Sequence, residues 1–232
     1  MNSPGQLLDG EFDAVLFDLD GTLIDTAPDM VTILQGMQEA RDLEPVAYET
    51  GRRYVSNGAV GLLRLGFPGI EVSYGDEMHH EYLERYAARL CRDSCVFAGL
   101  GDLLDAFDEA ARPWGVVTNK PEFLTEPLLE ALGLATRSAC IVSGDTLPVR
   151  KPDPGPLLLA CDIAGVDAWR TVYVGDAARD IEAGLAAGMA TVGVTYGYVT
   201  EEDDPREWGA DILASDTAEL AQILRKAVNL EP

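Results

Sequence analysis

Two aspartates separated by a single residue, Asp18 and Asp20, follow a short apolar run at residues 15–17. The run does not alternate between apolar and polar residues, which predicts a strand covered on both faces in a parallel sheet. In doubly wound folds, ligands bind beyond the carboxyl ends of such strands, so we expect both carboxylates in a ligand crevice. Two buried carboxylates are costly unless a cation neutralises them, so the pair favours metal binding or acid–base chemistry.

The aspartate pair also fits two plainer structures. A calcium-binding loop would need further oxygen ligands and a distal glutamate, whereas Leu23, Ile24 and Thr26 occupy most of those positions. An acidic turn without function would explain the pair alone. The polar residues further along the chain argue against that interpretation.

Polar side chains also follow two later predicted strands. Thr118 and Asn119 come after the second strand, and Asp176 comes after the fourth, with Asp180 about one helical turn later. Lys151 lies between them in the turn KPDP, which opens a predicted helix. Singly, these residues fit a turn threonine, a helix-capping aspartate and a surface lysine. Together they predict a site that combines carboxylates, a metal ion, a lysine and a hydroxyl group.

Alternating strand and helix patterns predict an α/β fold with a doubly wound, Rossmann-like parallel sheet. Strands are expected at 15–17, 114–117, 139–142, 171–174 and 191–194. A short edge strand and a closing helix are expected near the C-terminus. These strands would bring the polar residues described above to one edge of the sheet.

A long block between the first two predicted strands has helical patterns at 28–41, 46–66 and 71–93 and no convincing strand. It is too long for an ordinary connection, so we predict an inserted helical cap. The predicted domains are therefore a catalytic core at 12–27 and 98–232 and a helical cap at 28–97. Residues 1–11 are expected to be a short mobile lead.

Composition limits the classes of partner. The 232 residues are 47% hydrophobic, and 40 acidic residues against 17 Lys and Arg give a formal net charge of −23. Such a surface disfavours nucleic-acid and membrane partners, and an anionic substrate would need a metal ion or local bases. The four cysteines form no zinc-type pairs, and the N-terminal residues show no signal-peptide pattern. We therefore expect a cytoplasmic protein.

Four segments carry a resemblance to a known family: DLDGTLIDT, VVTNK, KPDP and GDAARD. They resemble the four signature motifs of the haloacid dehalogenase-like phosphohydrolases, and the likeness extends over about residues 12–228. The subgroup resembled is the phosphoglycolate phosphatase-like enzymes, which carry a helical cap after the first motif. Within it, WGVVTNKP, PLLLACDIAG and YGYVTEEDDPREWGAD are similar to bacterial N-acetylmuramic acid 6-phosphate phosphatases, which serve peptidoglycan recycling.

The resemblance implies Mg²⁺-dependent hydrolysis of a small anionic phosphomonoester through an aspartyl-phosphate. Asp18 would be the nucleophile, and Asp20 would protonate the leaving oxygen and later deprotonate water. Lys151 would offset the negative charge of phosphate and carboxylates. Thr118 and Asn119 would hold the phosphoryl oxygens. The implied magnesium ligands are Asp18, the backbone carbonyl of Asp20, Asp176 and, directly or through water, Asp180.

Specificity would lie in the helical cap, where an arginine could hold a substrate carboxylate in a bidentate contact. The cap residues expected to face the substrate are Arg52, Arg53, Ser56, Asn57 and Gly58. Each of these candidates could also be a plain surface or turn residue. His79 and His80 are expected to face solvent.

The motifs leave several activities open. The first is a phosphatase acting on N-acetylmuramic acid 6-phosphate, and the second acts on 2-phosphoglycolate. A phosphosugar mutase of the β-phosphoglucomutase kind would return phosphate to the substrate instead of water. A retired phosphatase that only binds a metabolite is disfavoured, because a binding module would not need the second acid, Asp20.

Overall fold

The computed structural model describes residues 12–230, so the lead predicted at 1–11 lies outside the described residues. The strands in chain order are β1 Ala14–Phe17, β2 Ile24–Asp25, β3 Cys95–Val96, β4 Trp114–Val117, β5 Cys140–Val142, β6 Thr171–Gly175, β7 Ala190–Val194 and β8 Ile212–Ala214. The α-helices are α1 Ala27–Glu39, α2 Tyr48–Arg53, α3 Gly58–Gly66, α4 Glu77–Arg89, α5 Leu100–Glu109, α6 Glu122–Ala131, α7 Gly155–Ala164, α8 Ala178–Ala186 and α9 Thr217–Ala227.

The larger sheet has the strand order β5-β4-β1-β6-β7-β8, and each neighbouring pair is parallel. This confirms the predicted parallel sheet, and β8 lies at an edge as expected. The order reverses around β1, so the crevice beyond its carboxyl end is where such folds bind ligands. Asp18 follows β1 directly at this point.

Helices cover both faces of the sheet, which confirms the doubly wound, Rossmann-like α/β fold. Val15 and Phe17 of β1 pack into a core with side chains of α5 and α9. Leu16 faces the opposite way and packs with side chains of α7 and α8. A strand buried on both faces needs apolar residues at every position, which explains why the sequence run does not alternate.

A helical block, α1 to α4, is inserted between β1 and β4 and has a hydrophobic cluster of its own, which includes Met30, Leu34, Leu62 and Tyr82. The helix predicted at 46–66 is divided into α2, a short 3₁₀ turn at Val55–Asn57 and α3. The helix predicted at 71–93 begins only at Glu77. No helix within the described residues is long and apolar enough to cross a membrane.

A second, two-stranded sheet was not predicted. β2 and β3 pair antiparallel, with Ile24 opposite Val96 and Asp25 opposite Cys95. They lie where the chain enters and leaves the helical block, so the expectation of a wholly helical segment at 28–97 is wrong at β3. Two-residue strands are too short to produce a periodic pattern in the sequence.

Candidate active site

The nucleophile candidate Asp18 lies next to a buried lysine. Lys151 Nζ is 2.8 Å from Asp18 Oδ1 and 2.7 Å from Asp180 Oδ1, and it donates to the Tyr173 hydroxyl at 2.8 Å. Burial alone would lower the pKa of Lys151, but Asp18 and Asp180 outweigh that effect and raise it. The lysine therefore stays charged and fixes the orientation of the Asp18 carboxylate.

Three buried carboxylates converge at the ends of β1 and β6. Oxygen atoms of Asp18, Asp176 and Asp180 lie within 4.8 Å of one another. Asp176 Oδ2 accepts hydrogen bonds from the Ser56 hydroxyl and the Tyr198 backbone N–H, whereas its Oδ1 is buried with no hydrogen-bond partner within residues 12–230. A buried, unpartnered carboxylate oxygen beside two further acids fits a cation site.

The electrostatics of this cluster also favour a cation. Burial, followed by the charges of Asp18 and Asp180, raises the pKa of Asp176 to about 7. Like charges gathered in a water-poor site disfavour ionisation, and a divalent cation would relieve that cost. The chain also leaves no room for a side chain here, because a Cβ on Gly21 would lie 2.1 Å from Asp176 Oδ2. Gly21 has a φ of +85°, which glycine adopts readily.

The second acid of the first motif is held by a lysine that was not predicted as a site residue. Asp20 Oδ1 accepts hydrogen bonds from the Thr26 hydroxyl at 2.6 Å and from Lys120 Nζ at 2.9 Å. Lys120 Nζ also lies 3.0 Å from the hydroxyl of Tyr86, a residue of α4. Lys120 ends the quoted motif VVTNK, but its partner Tyr86 is distant in sequence, so the motif alone gave no sign of this contact.

Thr118 and Asn119 lie at the end of β4, beside the carboxylates. The Thr118 hydroxyl accepts a hydrogen bond from the Lys120 backbone N–H. The Asn119 side chain bonds to both the backbone N–H and the carbonyl of Lys151, at 3.1 and 3.0 Å. The Asn119 amide therefore positions the lysine loop, and its backbone N–H is the group that it can offer to a phosphoryl oxygen.

One cavity of about 560 Å³ connects these residues with the helical block. Its wall on the sheet side includes Asp18, Asp20, Thr118, Asn119 and Lys151. Its wall on the side of the helical block is largely apolar and aromatic and includes Met30, Val55, Tyr82, Leu83 and Tyr86. A ligand bound here would contact both parts of the chain.

The sequence matches a known family over most of its length. The profile of the haloacid dehalogenase-like hydrolases matches residues 15–194, which include every catalytic and metal-binding residue predicted from the four motifs. The chain belongs to this hydrolase family. It is an enzyme, a phosphatase of the haloacid dehalogenase type.

Relatives of this haloacid dehalogenase-like hydrolase carry two different names. A Pseudomonas aeruginosa protein named N-acetylmuramic acid 6-phosphate phosphatase is 43% identical, over 93% of this chain and 96% of the relative. A Xanthomonas campestris protein named phosphoglycolate phosphatase is 42% identical, over 89% and 94%. The crystal structure of a predicted phosphoglycolate phosphatase from Haemophilus somnus covers 92% of this chain and 98% of its own, with 27% identity and a TM-score of 0.80.

The helical block of this hydrolase contacts the carboxylate cluster through the turn at 56–58. Ser56 donates its hydroxyl to Asp176 at 2.7 Å, and its backbone oxygen accepts a hydrogen bond from Arg179 at 2.5 Å. Ser56, Asn57 and Gly58 all line the cavity, and their contact with a substrate stays a prediction. Arg179 lines it too. It lies within the quoted motif GDAARD but was not predicted as a site residue.

The two cap arginines point elsewhere. Arg52 does not line the cavity; its guanidinium lies 2.6 Å from Asp25 and 5.0 Å from the ring centroid of Tyr198. Arg53 is exposed and pairs with Glu201. Both arginines were expected to face the substrate because an arginine can hold a carboxylate in a bidentate contact. Their acidic partners are remote in sequence and were not predicted. Conversely, His79, expected to face solvent, is half-buried and lines the cavity.

Proposed function

We propose that this phosphatase hydrolyses N-acetylmuramic acid 6-phosphate with Mg²⁺. The observation that carries the proposal is the cavity of about 560 Å³ that opens on Asp18 and Asp20. Its volume lies in the range of about 300–1,000 Å³ found for sites of drug-sized ligands. A sugar acid would fill the space beyond the phosphoryl group, whereas the two-carbon body of 2-phosphoglycolate would leave most of it to water.

The proposed reaction has two steps. First, an Asp18 carboxylate oxygen bonds to phosphorus while the bond from phosphorus to the ester oxygen breaks, and Asp20 gives its proton to that oxygen. Next, water attacks the phosphorus of the aspartyl-phosphate, Asp20 takes a proton from the water, and phosphate leaves. Lys120, at 2.9 Å from Asp20 Oδ1, keeps the acid in one orientation through both steps.

The proposed magnesium ligands are Asp18, Asp176 and the backbone carbonyl of Asp20, with Asp180 acting directly or through water. When bound, the ion supplies the positive charge that lets a carboxylate approach an anionic phosphate. Lys151 adds a second positive charge beside Asp18. The Thr118 hydroxyl and the backbone of Asn119 are proposed to hold the phosphoryl oxygens.

We assign substrate selection to a cap at 28–97, set on a catalytic core at 12–27 and 98–232. The turn residues Ser56, Asn57 and Gly58 support this assignment, because they line the cavity and Ser56 contacts the carboxylate cluster. A cytoplasmic location is part of the proposal. It is supported by four cysteines that are all free thiols, since free thiols are typical of a reducing compartment.

A second candidate substrate is 2-phosphoglycolate. Its support is the Xanthomonas relative of that name, whose identity of 42% is close to the 43% of the Pseudomonas relative. Both compounds carry a carboxylate in addition to the phosphate, so charge alone does not separate them. The size of the cavity favours the sugar acid.

Phosphate release from the two compounds with Mg²⁺, measured side by side, tests the proposal. We expect a kcat/KM at least about tenfold higher for N-acetylmuramic acid 6-phosphate, because each 1.4 kcal/mol of extra contact gives a factor of ten. A preference for 2-phosphoglycolate would establish the second candidate instead. Recovery of an isomeric sugar phosphate without free phosphate would indicate a mutase.

A further inference from the structure

The basic side chains on the cavity wall differ in what they already bind. Lys151 lies against Asp18 and Asp180, and Lys120 lies against Asp20. Arg150 lines the same cavity, and within residues 12–230 its guanidinium contacts an aromatic ring and no acidic side chain. Its guanidinium thus has no acidic partner and is available to an anionic group of a ligand.

Arg179, the other arginine on this wall, is already engaged. It donates to the Ser56 backbone oxygen at 2.5 Å. Burial alone would lower the pKa of Arg179, but the charges of Asp180, Asp18 and Asp176 raise it. Arg179 therefore belongs to the carboxylate end of the cavity, and Arg150 is left for a group further out.

Arg150 lies at the mouth of the cavity, where the core meets the helical block. Its Cζ is 5.8 Å from the ring centroid of Tyr74, and the Tyr74 side chain, before α4, is 69% exposed. The Tyr74 ring in turn meets His79 edge-on, with ring centroids 5.4 Å apart. A cation over an aromatic face is held loosely enough to turn toward a stronger partner.

His79 adds a neutral donor to this mouth. Its Nδ1 accepts a hydrogen bond from the Gly75 backbone N–H at 3.2 Å, so the ring proton is assigned to Nε2. Burial, followed by the charge of His80, lowers the pKa of His79 and keeps the ring neutral. A neutral imidazole can donate to a carboxylate or a hydroxyl oxygen of a bound ligand.

We propose that Arg150, with Tyr74 and His79 beside it, binds the carboxylate of the substrate at the mouth of the cavity. The site thereby selects a phosphorylated sugar acid over the same sugar phosphate without the acid group. This inference rests on the proposed function. The protein has a formal charge of −23, which repels an anionic ligand. A guanidinium without an acidic partner supplies the local positive charge that a substrate carboxylate needs.

The test uses two substrates that differ in the carboxylate: N-acetylmuramic acid 6-phosphate and N-acetylglucosamine 6-phosphate, which lacks the lactyl ether. Arg150→Ala should lower kcat/KM about 10–100-fold on the first, mainly through KM, because a charge-assisted bidentate contact is lost. On the second substrate, the kcat/KM of Arg150→Ala should stay within about twofold of the wild-type value. Arg150→Lys keeps the positive charge but loses the planar guanidinium that makes a bidentate contact. Its kcat/KM on the first substrate should lie between those of the wild-type enzyme and Arg150→Ala.

Two controls accompany the variants. Arg206→Ala removes an exposed arginine that pairs with Asp204 and does not line the cavity, so both substrates should keep their wild-type kcat/KM. Hydrolysis of p-nitrophenyl phosphate, which has no carboxylate, shows whether Arg150→Ala is folded. Arg150→Ala should hydrolyse p-nitrophenyl phosphate at the rate of the wild-type enzyme.

The outcomes separate this inference from the proposed function. If the wild-type enzyme does not prefer N-acetylmuramic acid 6-phosphate over 2-phosphoglycolate, the proposed substrate is wrong and the carboxylate site falls with it. If it prefers the sugar acid over 2-phosphoglycolate but not over N-acetylglucosamine 6-phosphate, the carboxylate site alone is overturned. If the wild-type enzyme has both preferences but Arg150→Ala loses nothing, or loses the same factor on both sugar phosphates, the proposed function stands. In that case the assignment to Arg150 is overturned.

Discussion

At the scale of single residues, Lys120 is the main addition to the predicted site. Lys120 is buried, and its Nζ lies 2.9 Å from Asp20 Oδ1 and 3.0 Å from the Tyr86 hydroxyl. The lysine thus links the proposed acid–base residue to the helical block. Its charge also offsets part of the negative charge of the first motif.

Lys120→Met should lower kcat about 10–100-fold on N-acetylmuramic acid 6-phosphate, a large part of what a positioned acid–base group contributes. KM should change much less, because Lys120 holds Asp20 and is not assigned a contact with substrate. Tyr86→Phe removes only the hydroxyl and should cost a smaller factor. Steady-state kinetics of both variants check this, and a Lys120→Met enzyme with unchanged kcat would show that Asp20 needs no such partner.

The sequence predicts residues whose role is tied to a strand end, and it misses those whose role depends on a distant partner. Asp18, Asp176 and Lys151 come together because parallel strands end at one edge of the sheet. Lys120 depends on Tyr86, and Arg52 depends on Asp25, from separate elements. Such pairs are set by the packing of the helical block on the sheet, which no local pattern encodes.

At the scale of elements, the paired strands β2 and β3 join the core to the helical block. Tyr198 binds this junction: its hydroxyl accepts hydrogen bonds from the backbone N–H groups of Thr26 and Ala27 and donates to Asp25 at 2.8 Å. Arg52 covers the same tyrosine ring and pairs with Asp25. The start of α1, β2 and α2 are thereby held as one unit.

Arg52→Ala should therefore affect stability more than substrate binding. We expect the free energy of unfolding to fall by about 1–2 kcal/mol, because a partly buried ion pair and a cation–π contact are lost together. The KM for either candidate substrate should stay within about twofold, since no substrate contact is removed. Denaturant unfolding and kinetics on the same preparation measure both effects.

Arg53→Ala is the matched control, because Arg53 lies next in the chain but is exposed. Its effect on unfolding should stay within about 0.5 kcal/mol, as for most surface ion pairs. A large rise in KM for Arg52→Ala with unchanged stability would restore Arg52 to the substrate site.

The longer and more buried an element is, the more accurately the sequence predicted it. Trp114–Val117 and Thr171–Gly175 are largely apolar runs that are buried on both faces of the sheet. Such runs predict interior strands. The interruption at Val55–Asn57 contains no proline, and the apolar residues around it fit a helical pattern, so the sequence at 46–66 resembled one helix despite the glycines that follow. The break is stabilised by Ser56, which bonds to Asp176 and Arg179 of the core.

At the scale of the whole molecule, the acidic cluster should make stability depend on pH. The pKa of Asp176 is about 7 in the folded protein, above the value of about 3.9 for an unfolded aspartate. Between these values the folded state binds a proton that the unfolded state has released. The free energy of unfolding of the metal-free protein should therefore fall as pH rises from about 4 to about 7.

Asp176→Asn tests this dependence. At pH 8 without metal, the variant should melt at a higher temperature than wild type, by about 2–4 °C for each kcal/mol of repulsion removed. We also expect Mg²⁺ to raise the melting temperature of the wild-type protein but not that of Asp176→Asn. Asp162→Asn, at an exposed acid on α7, is the control and should change neither quantity. Equal melting temperatures of wild type and Asp176→Asn at pH 8 would show that the cluster stores no repulsion.

The proposed covalent role of Asp18 can be tested most directly with Asp20→Asn and p-nitrophenyl phosphate in the presence of Mg²⁺. The leaving group needs no proton, so the first step should proceed, while the second step should stall without a base to deprotonate water. We predict a burst of about one p-nitrophenol per enzyme and a phosphoryl group on the peptide that contains Asp18. Steady turnover without a burst, or a phosphoryl group on another residue, would contradict Asp18 as the nucleophile.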